Sequence, residues 1–529
     1  MAREFQIKTF TDERAYHNTA ILIYLKAVKS VFEHADVTIG NSLNQGYYSY
    51  INLDGAQLKT SDIHKIRDKM EKIIAHDTEI VAEKYTAKEA AEKMRSFGYP
   101  EKAELFEELP EDEIVEISEL HNYRNCMYTV MLPSSGYVNL FDIRPYRNGL
   151  LLRLPNALHN HTIPKYRDDD KLYEAYAECR RMRKYTGISY LADINREIRE
   201  GNTDEIIRAS EWLQSRQLEE LAGQIIENHK KVVLIAGPSS SGKTTTAKRI
   251  CAEIGRLTGN DPMYLGTDDY FVERGMTPLG PDGKPDFEGL GAVDLELFNR
   301  QMEDLLAGKE VDLPEFDFVN GTKVFGKRIT KLKKNQIIVI EGIHSLNDVL
   351  TENIPRKDKF KIYISPLTQI AVDRHNRLST ADARLLRRMV RDNQFRGYNA
   401  EATLEAWPKV RAGESVNIFP YSSSADVVFN SSTVYETNML KTFAEPLLRA
   451  IPETSAQYEE AQRILMFMKY FDKIESTDAV PDNAILREFI GPRKYRDPLR
   501  EFNINAKCCI NTHICVLYVI IDFYEGEKG

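Results

Sequence analysis

Apolar residues along this chain fall into two patterns. Over the first two hundred positions they recur at mixed or helical spacing, broken by charged residues. Ile21-Leu22-Ile23-Tyr24-Leu25 runs into Ala27-Val28 and predicts a helix. Residues 61–76 place Ile63, Ile66, Met70 and Ile73-Ile74 on one face of a second helix, and 85–97 repeats that style. Val37-Thr38-Ile39-Gly40 and 46–51 predict two strands joined by a turn, and 128–131 and 138–141 predict two more. Residues 1–200 therefore read as an α+β domain. The stripe Ile206-Ile207, Trp212-Leu213, Leu218 and Ile225-Ile226 predicts a connecting helix over 201–229.

From 230 onward the pattern changes to short, unbroken apolar runs. Val232-Val233-Leu234-Ile235, Ile337-Ile338-Val339-Ile340 and Phe360-Lys361-Ile362-Tyr363-Ile364 predict strands buried in an open α/β sheet, and a short strand is expected within 263–271. Residues 230–451 read as that domain. A helix over 443–451 leads into a helical segment at 452–491 that holds a second helix over 456–471. The remaining stretch, 492–529, carries Cys508-Cys509, Cys515 and an apolar run at 516–521, and has no assigned role.

The first of these strands breaks into Gly237-Pro238-Ser239-Ser240-Ser241-Gly242-Lys243-Thr244, followed by Thr245. This matches the phosphate-loop pattern G-x-x-x-x-G-K-[ST] in full. A di- or triphosphate needs several backbone N–H groups aimed at one place, and the two glycines permit that curled backbone. A helix start behind it adds a positive dipole end. Lys243 is expected to reach the β/γ-phosphates, and the Thr244 hydroxyl a Mg²⁺ ion. The short strand expected within 263–271 presents Asp268 at its carboxyl end, where open α/β sheets bind ligands. Phosphoryl transfer to a hydroxyl needs a carboxylate near the acceptor, so Asp268 is the expected general base and a second reach toward Mg²⁺, with Asp269 its close rival. The strand 337–340 ends in Glu341, a third oxygen for the metal; His344 is expected to act through its neighbours. The basic run Arg384, Arg387, Arg388, Arg391 on one helix, with Arg396 beyond it, suits a lid that neutralises the transferring group.

Composition bounds the rest. A net charge of −9 argues against broad nucleic-acid or membrane-surface binding. The amino-terminal residues lack a signal-peptide pattern and no apolar run is long enough to span a bilayer, so a cytoplasmic protein is expected. Cys126, Cys179 and Cys251 are single and scattered, as in a reducing compartment. His159-Asn160-His161 reads as a solvated loop, not a metal site. No N-K-x-D motif follows the phosphate loop, against a GTPase; no L-S-G-G-Q stretch is present, against a transporter ATPase.

Two resemblances carry these readings further. Asn18, Leu25 to Lys29, Val37-Thr38-Ile39-Gly40 and Gly46-Tyr47-Tyr48 resemble the editing domain of threonyl-tRNA synthetase. That domain's two helix histidines are Asn18 and Leu22 here, and 139–145 supplies neither Cys nor His. The resemblance implies a domain that binds or positions something without editing; tRNA binding by it stays open. GPSSSGKTT, TDDYF, EFDFV, IVIEGIH and RRMVRD, in order over 230–451, resemble the uridine kinase and phosphoribulokinase family of P-loop kinases. The combination resembles a bacterial nucleoside kinase group.

That second resemblance implies ATP and Mg²⁺ as cofactors and a nucleoside as substrate. Thr244, Asp268 and Glu341 would hold the metal. Tyr270, Phe287, Glu288 and Phe316 would contact the nucleoside. Arg388 would lie near the acceptor, and Arg391 and Arg396 near the phosphates. The chain departs from the family at Glu288, one methylene longer than the usual Asp, at Gly321, where a base-reading His is usual, and at Tyr398, where a lid Arg is usual. Three options stay open: another small hydroxyl substrate, a nucleotide-sensing RNA-binding regulator, and homo-oligomerisation. The acidic run Pro285-Asp286-Phe287-Glu288 speaks against a phosphate-bearing acceptor.

Overall fold

A computed structural model describes residues 3–43, 45–280 and 283–492. The cysteine-bearing run read at 508–521 lies outside the described residues.

The helix Phe10–Val31 begins at a capping box: Thr9 accepts from the Asp12 amide, and the Asp12 carboxylate accepts from the Thr9 amide. Tyr16, Leu22, Ile23 and Tyr24 are buried on it almost all the way round. It packs on Thr60–His76 beside an antiparallel sheet of order Asp36–Leu43, Gly46–Asn52, Gly149–Arg153, Asp142–Tyr146. A second sheet joins Val81–Thr86, Ile114–Leu120 and Tyr123–Asn125. The strands expected at 128–131 and 138–141 do not form. Tyr128 takes φ +55°, which no ladder tolerates, and packs edge-on against Tyr470. Residues 138–141 are a loop leading into Asp142–Tyr146. The helix expected from 85 starts at Ala87, because Thr86 caps it and residues 81–86 are a strand.

The later sheet has five parallel strands in the order Val427–Asn430, Lys359–Ser365, Val232–Ala236, Ile338–Glu341, Met263–Gly266. All five residues of Val232–Ala236 are buried, the mark of a central strand covered on both faces. Thr203–Glu227 lies against the helix Lys243–Thr258, held by Arg249 donating to Gln214 and Ser215. One continuous apolar cluster runs from Ala87 through the sheet to Ile490. The carboxyl edge of the sheet gathers the phosphate loop, Asp268 and Glu341.

The loop after Lys359–Ser365 reaches back to the early sequence. Lys102, fully buried, donates to Asp373 (2.8 Å) and to the Cys126 carbonyl (3.0 Å). His375 is buried beside them, its Nδ1 3.0 Å from Asn125 Nδ2. Burial, reinforced by Lys102 and Arg374, holds its imidazole well below the ordinary 6.5. The folded chain therefore keeps His375 neutral, while an unfolded chain takes up a proton below about pH 6.5. Stability is expected to fall with a slope approaching about 1.4 kcal/mol per pH unit as pH drops below 6.5. Thermal unfolding between pH 7.5 and 5 measures this, and His375→Gln is expected to flatten the acid limb.

Candidate active site

The phosphate loop is shaped by three residues. A Cβ at Gly237 would strike the Ile364 carbonyl of the neighbouring strand and the Ser241 hydroxyl. Ser240 (φ +58°) and Gly242 (φ +82°) are both left-handed, which turns successive backbone amides to one side. A non-glycine residue held there stores strain, as functional loops often do. The Ser240 and Ser241 hydroxyls are buried without hydrogen-bond partners among the described residues. The helix starts at Lys243, whose Nζ donates to the Pro238 carbonyl at 3.2 Å.

Beside the loop, the Thr244 hydroxyl donates to Glu341 Oε1 (2.9 Å), and the Tyr264 hydroxyl donates to the same oxygen (3.2 Å). Burial pushes the Glu341 carboxyl up, Lys243 opposes that, and the Asp268 charge adds to it. Asp268 is reached by solvent but has protein on most sides, and this enclosure raises its carboxyl too; Lys243 opposes, Asp269 adds and Arg396 opposes. Two crowded carboxylates and a hydroxyl are hard oxygen donors, and a cation among them relieves their mutual repulsion. The residues present therefore fit Mg²⁺.

The two aspartates differ. Asp269 accepts from Arg328 (2.7 Å), which reaches it from the hairpin strand Thr322–Lys331, and from the Phe316 amide (3.4 Å). The Asp268 carboxylate makes no hydrogen bond or ion pair with any described residue.

On the acceptor side Glu288 is half-buried against Gly413, where a Cβ would collide with Oε2. Its burial raises the carboxyl, Glu414 adds to that, and Arg388 opposes it. Phe316 packs edge-on against Phe271 and Phe318, with ring centres 5.8 and 5.1 Å apart. Phe287 is exposed. His344 is buried, and burial lowers its imidazole. Tyr270 is not brought to this cleft. The 3₁₀ turn Thr267–Tyr270 rotates it into the core, where its hydroxyl donates to Gln301 (2.9 Å) and its ring packs on Phe298.

The helix Thr380–Phe395 separates its arginines. Arg384 and Arg387 are buried, paired with Glu414 and Glu436, and donate to the Ser239 and Ser240 carbonyls at 3.2 and 3.3 Å. They brace the loop from behind. Arg388 instead donates to the Ser239 hydroxyl (2.8 Å), and Arg388, Arg391 and Arg396 share a single carboxylate, Asp392. Three cations on one anion leave positive charge beside the phosphate loop. Burial and the neighbouring Arg391 lower Arg396 accordingly. Glu414, Glu436, Arg328 and Glu488 were not foreseen. Each lies tens to hundreds of positions from its partner, and no local pattern marks it. His159 and His161 hydrogen-bond Asn156 and Asn139. No group of three His, Cys, Asp or Glu side chains among the described residues is arranged to hold a metal.

A phosphate loop on a parallel α/β sheet, with acids at the carboxyl ends of Ile338–Glu341 and Met263–Gly266 and arginines above, defines a P-loop phosphotransferase. Residues 232–438 match the family model described as Phosphoribulokinase / Uridine kinase family, and that part of the chain is a domain of this family. The chain is similar to the uridine kinase of Deinococcus deserti, at 27% identity over 198 residues (37% of this chain, 86% of that protein). It is likewise similar to the uridine kinase of Tolumonas auensis, at 29% over 199 residues (37% and 85%). Among solved structures, a possible uridine kinase from Bacillus stearothermophilus aligns at 19% identity and a TM-score of 0.28, covering 41% of this chain and 98% of that one. No helix among the described residues is long and apolar enough to cross a membrane.

Proposed function

We propose that this chain is an ATP- and Mg²⁺-dependent kinase that phosphorylates the 5′-hydroxyl of a nucleoside. The observation that carries this reading is the Asp268 carboxylate, left without a hydrogen-bond or ion-pair partner among the described residues at the sheet edge beside Lys243 while Asp269 is committed to Arg328. Thr244, Glu341 and Asp268 would hold Mg²⁺, which would supply charge neutralisation at the phosphates. Asp268 takes the acceptor's hydroxyl proton as that oxygen attacks the γ-phosphorus and the bond to the β–γ bridging oxygen breaks. Lys243, Arg388, Arg391 and Arg396 offset the charge of the transferring group. Glu288 accepts from ribose hydroxyls, and Phe287 and Phe316 offer apolar faces to the base.

Residues 1–200 we read as a binding or positioning module resembling the editing domain of threonyl-tRNA synthetase. Leu22 is fully buried and Asn18 donates to the Val130 carbonyl, which leaves no hydrolytic pair on that helix. Deacylation of mischarged tRNA by the purified chain would overturn this.

The kinase reading is tested by ADP release with Mg²⁺-ATP against a panel of nucleosides. Turnover with at least one is expected. Glu288→Gln is expected to raise the nucleoside KM by about tenfold or more, the worth of one charge-assisted hydrogen bond, and to leave the ATP KM unchanged. No turnover with any nucleoside would move the acceptor to another hydroxyl compound.

A further inference from the structure

The donor end of the cleft holds a carboxylate that the proposed reaction does not use. Glu488 Oε2 accepts from the Thr245 hydroxyl (2.8 Å) and the Thr245 backbone amide (3.3 Å). That amide lies in the first turn of Lys243–Thr258, where a helix leaves its N–H groups without internal partners. First-turn amides and the positive end of the helix dipole attract anions, and in a phosphate loop they serve the phosphates nearest the nucleoside. A resident anion already occupies one of them. Glu488 also supports the charge of Arg396, one of the three arginines that converge on Asp392.

The contact is firmly built. Ala484, Ile485, Leu486, Phe489 and Ile490 are all buried. Ile485 covers the phosphate loop so closely that a Cβ at Gly242 would meet its Cγ2. Arg487 donates to the carbonyls of Thr477, Val480 and Gly491. The Arg387 guanidinium lies 4.8 Å from the centre of the Phe489 ring, and Gly491 packs on Gln394 and Phe395 at the end of the arginine helix. The backbone under Glu488 is thus fixed against both walls of the donor site, and the side chain alone has freedom to move.

We infer that Glu488 is a built-in competitor of the nucleotide phosphates: its carboxylate holds the Thr245 donors in the nucleotide-free chain and rotates away when a nucleotide takes them. The inference rests on the kinase reading. It assigns the segment 484–491 a part in setting donor affinity, so that the phosphate loop binds nucleotide more weakly than its own geometry allows.

The experiment is calorimetric titration of Mg²⁺-ADP into the full chain, wild type against Glu488→Gln and Glu488→Ala, with thermal unfolding of each without nucleotide. Glutamine keeps the shape and an acceptor but removes the charge. Both variants are expected to bind Mg²⁺-ADP about tenfold more tightly than wild type, the scale of one charge-assisted hydrogen bond released. Measurable wild-type binding that both variants leave unchanged, even with a lowered melting temperature, makes Glu488 a helix cap alone and overturns the inference while the kinase reading stands. Weaker binding by the variants makes Glu488 a nucleotide contact and overturns it too. Binding by none of the three overturns the kinase reading and the inference together.

Discussion

Asp268→Asn is expected to lower kcat for phosphoryl transfer by about a thousandfold or more, with the chain still folded. General base catalysis alone contributes about 10²–10⁴-fold, and the same carboxylate is one of three groups that fit the metal. Asparagine matches aspartate in shape. Asp268 makes no hydrogen bond or ion pair with a described residue, so the replacement strands no partner. It also removes a charge that Glu341 and Asp269 both resist. The nucleotide-free melting temperature is therefore expected to hold or rise while activity collapses, a separation that simple misfolding does not produce. Asp269→Asn is the companion measurement. It breaks the pair with Arg328 on the hairpin that carries Phe316, so its main effect is expected on the nucleoside KM. A variant of Asp268 that keeps activity within tenfold of wild type would transfer the base to Asp269.

The largest expected loss of stability comes from Arg387→Met. Arg387 is completely buried, paired with Glu436 through two hydrogen bonds, and donates to carbonyls of Ser240 and Ser431. Removing it leaves Glu436 as a buried anion with no counter-charge, which costs about 3–5 kcal/mol. Replacing both partners removes the orphaned charge, so Arg387→Met with Glu436→Leu is expected to lose less than the sum of the single changes. Thermal unfolding of the three variants measures this. Nucleotide affinity is expected to fall in both variants that lack Arg387, because the Ser240 carbonyl, at the left-handed bend of the phosphate loop, loses its brace.

The parts of this molecule that were legible in the sequence are those where adjacency along the chain and adjacency in space coincide. Val232–Ala236 and Ile338–Glu341 are covered on both faces, so their residues form unbroken apolar runs, and Lys243, Thr244, Asp268 and Glu341 follow within a few positions of strand ends. The early strands fail this test. Val81–Thr86 and Ile114–Leu120 mix charged residues into half-exposed ladders and look helical or irregular by composition. The run at 128–131 has the propensity of a strand, but propensity says nothing of the left-handed turn at Tyr128. Tyr270 was placed with the substrate on its position in a motif, and one turn of 3₁₀ helix sends it the other way. Glu414, Glu436 and Glu488 were illegible for a plainer reason: an acid's partner is chosen by folding, and none of these partners is near in sequence.

The contact between Glu488 and Thr245 joins residues 243 positions apart. A ribosome adding about 5–20 residues per second needs roughly 12–50 s to cover that distance. Over that interval the growing chain already holds the phosphate loop, and then the strands Ile338–Glu341 and Lys359–Ser365 that flank it. Its cover has not yet been made. The order of synthesis gives the nascent chain a phosphate cradle before it has the side chain that contests it, and a nucleotide bound then would stabilise the unfinished sheet.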